Sequence, residues 1–227
     1  MKVKTSLLLM LMISSSIAIL SSCNSSEKKT DETSDMDNMK NGTMDNMEHS
    51  NKMMEVMNKM MSHMDTMKMT LDFDHDFASM MIDHHQGAID MAQIEITSGS
   101  DEKIKSMAQK IITSQKAEQE KLGVFLSSHK PGEHGDEHAD KHGEGAHNDQ
   151  MESMEMMMNK TKGMTMSGDT DKDFVMMMIP HHEAAVKMAE DELTHGHHDE
   201  LKQMAQQMIS AQNAEIKEFK MWLDQHK

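Results

Sequence analysis

The sequence predicts an all-α protein: a four-helix bundle made from two tandem helical hairpins, with Met-rich helices as accessories. Three observations carry this. The chain repeats itself without gaps at an offset of 97 residues, Met54 aligning with Met151 and His129 with His226. A repeat of that kind means two copies of one supersecondary unit. Apolar positions within each copy recur at three- and four-residue spacing. Finally, Met is over-represented at 33 of 227 residues while Tyr is absent and Phe and Trp are scarce, so burial falls to Met, Ile, Leu and Ala, which favour helices over sheets.

Each element follows in order. Lys2 and Lys4 precede an apolar stretch from Leu7 to Leu20, which ends in Leu20-Ser21-Ser22-Cys23. Residues 1–22 read as a secretory signal, and the ending resembles a bacterial lipobox in which Cys23 receives the lipid. The stretch is shorter than the ~20 residues of a membrane span. With no second Cys, neither disulfides nor thiolate metal sites are available. Residues 23–52 are Ser, Asp, Asn, Lys and Glu dotted with Met36, Met39, Met44 and Met47, and read as a flexible tether.

Repeat 1 covers 53–129. Its Met-dense opening, 53–69, has the spacing of a helix face. A helix capped by Asp74 or Asp76 then runs to Ser98-Gly99, and a second from Ser100-Asp101 to about His129 is stopped by Pro131-Gly132. Residues 130–149 form a His-rich linker containing His134, His138, His142 and His147, with no apolar residues to fold around. It reads either as a low-affinity scavenger of divalent ions or as a solvated tract. Repeat 2, 150–227, restates the order: a Met-rich segment 150–166, then helices over about 172–195 and 199–226. Four amphipathic helices bury their stripes most simply as a four-helix bundle.

Turning the first repeat's long helix by about 100° per residue puts Phe77, Met80, Met81, His84, His85, Ala88, Met91, Ala92 and Glu95 on one side. Both histidines therefore lie with the apolar face. Met80/His84 and Met81/His85 are neighbours one turn apart, as are Met177/His181 and Met178/His182. On the following helix Gln115 and Glu118 interrupt the inward stripe, and Gln212 and Glu215 do so in the second copy. A carboxylate there needs a partner, and the inward His pair is the obvious one; Glu118 and Glu215 read as orienters or occasional ligands of the histidines.

Met stripes often only fill core gaps, and an inward His is often a satisfied core residue. Yet Met-Met-Ile-x-His-His occurs in both halves, and Met36, Met39, Met44 and Met47 have no core to fill. Thioether selects Cu(I), with Ag(I) as its mimic, while imidazole also accepts Cu(II). The auxiliary donors are Met54, Met57, Met60, Met61, His63 and Met64, then Met151, Met154, Met157 and Met158, and the four linker histidines. Net charge is −16 with no Arg, which argues against nucleic acid and suits cations.

The run Phe174-x-x-x-Met178-Ile179-Pro180-His181-His182-Glu183-x-Ala185-Val186-x-Met188-Ala189 resembles the signature of a bacterial extracytoplasmic family catalogued as a domain of unknown function, which includes CopM-type copper-binding proteins. The match continues through Gln212, Glu215-Ile216 and Met221-Trp222-Leu223 and covers about 73–129 and 170–226. The resemblance implies a ferritin-like bundle. It also implies copper binding through His181, His182, Met177, Met178 and Met188, and in the first copy through His84, His85, Met80, Met81 and Met91. The implied role is homeostasis or tolerance, not catalysis. Asp83 and Gln86 replace the Pro and Glu of the signature, and Pro180 is expected to start or kink its helix, so two inequivalent sites are expected.

The leading expectation is thus a lipoprotein anchored on the periplasmic side of a membrane or at the cell surface. It would bind Cu(I), Ag(I) and, through imidazole, Cu(II), and pass copper to a transfer protein. One alternative is a di-iron oxidase, for which Glu192-x-x-His195 fits once but Glu95-x-x-Ser98 leaves the ligand set incomplete. The other is a Met-rich interaction scaffold without metal.

Overall fold

The computed structural model describes residues 33–70, 72–131 and 151–227, with backbone alone for 33–46. Among the described residues it contains six helices and no strand: α1 (Thr33–Asp65), α2 (Phe73–Ser98), α3 (Glu102–Ser128), α4 (151–161), α5 (Thr170–His195) and α6 (Asp199–Gln225). Helix α1 reaches back to Thr33, so the part of the expected tether from 33 to 52 is helical. Its anchor is visible at Ser50, which is buried and donates to Asp173 at the start of α5. Residues 1–32 and the linker histidines His134, His138, His142 and His147 lie outside the described residues. No described helix is long and apolar enough to cross a membrane.

A triplet of aspartates opens each repeat's first long helix, and each member has a separate role. Asp72 is the N-cap of α2 and accepts from His75 N, as Asp169 caps α5 through Lys172 N. The cap is therefore Asp72, two residues before the nearer of the expected candidates. An N-cap side chain must reach the amide three residues on, and Asp74 and Asp76 spend their oxygens elsewhere. Asp76 folds back onto Thr70 N at 2.9 Å and Asp173 onto Ser167 N at 2.7 Å. Asp171 crosses to the other repeat, accepting from Ser100 N at 3.0 Å and Asp101 N at 2.8 Å. Asp74 reciprocates, accepting from His197 N at 3.0 Å and His198 N at 2.9 Å.

These crossed contacts set the topology. They put the end of α2 beside the start of α5 and the start of α2 beside the end of α5, so the two helices run antiparallel. Helices α3 and α6 pair α2 and α5 as hairpin partners. They meet each other at both ends: Trp222 Nε1 donates to Asp101 Oδ2 at 3.0 Å, and Phe125 stands edge-on to His198. All four neighbouring pairs are antiparallel, and a pseudo-twofold axis relates the repeats. The core between them holds Phe77, Phe174, Phe219, Ile104, Ile111, Leu122 and the inward methionines. Each fully buried large apolar side chain contributes roughly 1.5–3 kcal/mol.

Helix α5 starts at Thr170, ten residues before Pro180, and runs through the proline to His195. Of the two alternatives expected for Pro180, a start or a kink, the start is corrected: the Asp169 and Asp173 hydrogen bonds already define the first turn.

Helix α1 lies against α2 and α5 and buries Met53, Met57, Met60 and Met64. It packs on α2 at Gly87, where a Cβ would collide with the Met60 side chain. Repeat 2 carries Ala184 at the matching position. A Gly87→Leu variant is therefore expected to lose roughly 1–3 kcal/mol through overpacking, seen as a lower urea midpoint. An unchanged midpoint would show that α1 can shift at no cost.

Candidate metal centre

Helices α2 and α5 bring His84, His85, His181 and His182 together at the middle of the bundle, and all four are fully buried. The His84 and His181 rings face each other across the pseudo-twofold axis with centroids 3.7 Å apart and planes tilted by 39°. The His181 and His182 centroids are 6.0 Å apart. The outer two rings are held by α3 and α6: His85 Nε2 lies 2.7 Å from Glu118 Oε2, and His182 Nε2 lies 2.8 Å from Glu215 Oε2. His181 Nε2 donates to the His84 carbonyl at 3.1 Å.

What remains unpaired is the chemically telling part. Neither nitrogen of His84 has a hydrogen-bond partner, nor has Nδ1 of His85, His181 or His182. Both polar atoms of the buried Gln212 side chain and the Oε1 of Gln115 are also without partners. Buried polar groups are normally satisfied, so a concentration of orphans in one place points to something the protein groups alone do not supply. Burial pushes His84 and His181 well below the usual imidazole range, and the neighbouring imidazoles push in the same direction. Both rings therefore stay neutral and keep a lone pair.

The cassette methionines Met80, Met81, Met91, Met177, Met178 and Met188 are all buried in the same core. Among the described residues, no three His, Cys, Asp or Glu side chains converge closely enough to hold an ion between them. The groups that surround the rings are thioethers, and imidazole with thioether is a donor set that fits soft cations. Of the auxiliary donors, Met57, Met60, Met64, Met154 and Met157 are buried, Met54, Met61 and Met151 are half-buried, and Met158 is exposed. His63 is exposed and lies 3.2 Å from Asp83 on α2, so it faces that carboxylate and not the central rings.

Where the first copy departs from the signature, Asp83 is half-buried whereas Pro180 is buried, and Gln86 is exposed whereas Glu183 is half-buried. Gln86 donates to Asp90, whereas its counterpart Glu183 pairs with Lys160 of α4 and Lys220 of α6. The Glu192-x-x-His195 run is not part of the centre. Glu192 lies under the Gly196 turn and His195 packs near Phe73, about 15 and about 20 Å along the helix from His182 at 1.5 Å per residue.

The family described as "Domain of unknown function (DUF305)" matches residues 17–126 and again residues 74–223. The chain belongs to that family. Solved structures resembling this DUF305 protein include CopM in the Cu(II)-bound form, 28% identical, with a TM-score of 0.50 over 68% of this chain and 97% of that one. CopM in the Ag-bound form, obtained by soaking, is 26% identical with a TM-score of 0.49, over 67% of this chain and 95% of the other. Comparison with curated proteins finds no match.

Two features of this DUF305 chain escaped the sequence reading. One is the end of the bundle where His129 Nε2 donates to Asp72 Oδ2 at 2.8 Å and its ring stands edge-on to His198. The other is a pair of buried acids. Glu95 and Glu192 are fully buried, and no N–H or O–H reaches either carboxyl. Each instead faces an aspartate of the other repeat, Asp171 and Asp74 respectively. Two acceptors can bond only with a proton between them, and burial together with that neighbouring acid pushes Glu95 up to about 9 and Glu192 up to about 10. The available signal was the place of Glu95 on the apolar face of its helix.

Proposed function

We propose that this protein binds Cu(I) or Ag(I) through buried imidazole and thioether groups at the α2/α5 crossing, and that it stores or hands on copper instead of catalysing a reaction. The observation that carries this reading is the cluster of four fully buried imidazoles with orphaned ring nitrogens in a methionine core. A bundle that needed only filling would leave no imidazole N–H without an acceptor, since that omission costs about 1–3 kcal/mol. Membership of the DUF305 family and the likeness to CopM in its Cu(II)-bound form support the reading. Imidazole accepts Cu(II) while thioether prefers Cu(I), so the same centre accommodates both oxidation states.

The residues proposed to hold the ion are His84, His85, His181 and His182 with Met80, Met81, Met91, Met177, Met178 and Met188. Glu118 and Glu215 orient the outer rings, and Gln115 and Gln212 are occasional ligands. The half-buried and exposed methionines of α1 and α4 form weaker sites that collect ions at the surface. Lipidation at Cys23 would hold the protein outside the cytoplasm, on a bacterial membrane, where a copper-transfer protein would be its partner. These last points rest on the sequence.

Titration of Cu(I) against a competing chelator tests the proposal. The wild type is expected to bind several equivalents. A His181→Ala/His182→Ala variant should lose the tightest of them, and deletion of residues 24–52 should lose only weak ones. If the double variant binds as tightly as the wild type, the central rings are not ligands.

A further inference from the structure

We propose that His85, His181 and His182 offer Nδ1, not Nε2, to a soft monovalent cation, and that Glu118, the His84 carbonyl and Glu215 make that choice by holding the Nε2 protons. The inference rests on the metal-binding reading above and specifies its donor atoms.

A neutral imidazole has one N–H and one lone pair. Carboxylate and carbonyl oxygens only accept, so a ring nitrogen at hydrogen-bond distance from one must carry the proton. His85 Nε2 is 2.7 Å from Glu118, His182 Nε2 is 2.8 Å from Glu215, and His181 Nε2 is 3.1 Å from the His84 oxygen. Three acceptors from three different helices thus fix one tautomer. Nδ1 of all three rings is buried and has no partner. His84 has no such fixed partner and remains free to present either nitrogen.

Two consequences favour Nδ1 for a soft ion. Nδ1 is the ring nitrogen nearer the backbone, and helical side chains lean toward the preceding turn. Each of these rings has a buried methionine there: Met81 before His85, Met177 before His181, and Met178 before His182. An ion held at Nδ1 would then have a buried thioether one turn away on the same helix to draw on. Binding at Nε2 would instead displace a charge-assisted hydrogen bond and strand a carboxylate beside the ion. Glu118 and Glu215 are positioning residues in this scheme: they touch the rings and leave the coordination sphere to nitrogen and sulfur.

Heteronuclear NMR of the full-length protein with isotope-labelled histidine tests this directly, using Ag(I) as the probe. In the metal-free protein the three rings should show protonated Nε2. On adding Ag(I), Nδ1 of each should shift and acquire scalar coupling to silver while the Nε2 proton persists. Glu118→Leu should mix the tautomers of His85 and leave the His182 signals unchanged, whereas Glu118→Gln, whose side-chain oxygen still accepts, should restore the single tautomer. Silver coupling at Nε2, or protonated Nδ1 in the metal-free protein, would overturn the inference but not the proposed function. Rings that do not respond to Ag(I) at all would overturn both.

Discussion

Replacing His84 with leucine is expected to stabilise the metal-free protein and to weaken its binding of Ag(I) and Cu(I). The ring is fully buried, neutral and without a partner for either nitrogen. A neutral imidazole always carries one N–H, so wild-type folding buries a donor with no acceptor, at a cost of about 1–3 kcal/mol. Leucine has a similar volume and no polar atom, and it keeps van der Waals contact with the His181 ring. The expected gain is of the same size, with Tm rising roughly 2–4 °C per kcal/mol in a chain of this length. The matched control is His85→Leu. It removes the partner of Glu118 and should give no comparable gain. Opposite signs for stability and affinity would mean that His84 is kept for binding despite its effect on folding. Loss of stability with unchanged affinity would instead make the central stack a packing device.

The helices and their inward faces followed from three- and four-residue periodicity, because a buried stripe must recur at the helical pitch. The offset from His84 to His181 was equally plain, since a gapless repeat conserves register. What periodicity could not supply was the relation between the two hairpins. That His84 meets His181 depends on how α2 docks on α5, and docking is set by Asp74 and Asp171, each bonding the turn of the opposite repeat. In sequence Asp74 and Asp76 look like the N-cap candidates, and Asp72 two residues earlier is as good a source of the cap oxygen. Geometry assigns the cap to Asp72, because only Asp72 sits three residues before an unpaired amide it can reach. The helical stretch from Thr33 was hidden for another reason. Its composition is polar, and the helix draws on tertiary contacts such as Ser50 with Asp173 and Met53 with the core, not on intrinsic propensity.

The same crossed aspartates lead to the second large effect: Glu95→Gln/Glu192→Gln is expected to flatten the loss of stability at alkaline pH. Each glutamate keeps its proton in the folded state to about 9 and about 10 but releases it near 4.5 once unfolded. Between those values the folded protein binds more protons than the unfolded one, so stability falls as pH rises. The slope is at most about 1.4 kcal/mol per pH unit for each glutamate. Below pH 4.5 both states are protonated and the stabilising pair is fully present; it is lost as pH rises through 9 to 10. Glu95 faces Asp171, Asp101 and Asp169, all acidic, so ionisation there has no cation to relieve it. Glu192 faces Asp74 and Asp72, and Lys202 only partly offsets them. Glutamine carries no titrating proton, and its amide can donate to the facing aspartate at every pH. The double variant should therefore match the wild type near pH 5 and exceed it by about 2 kcal/mol or more at pH 8. Urea unfolding at several pH values reads this out. Parallel profiles for the two proteins would show that the carboxyls take up no protons on folding and that the two repeats are clasped by the aspartates alone.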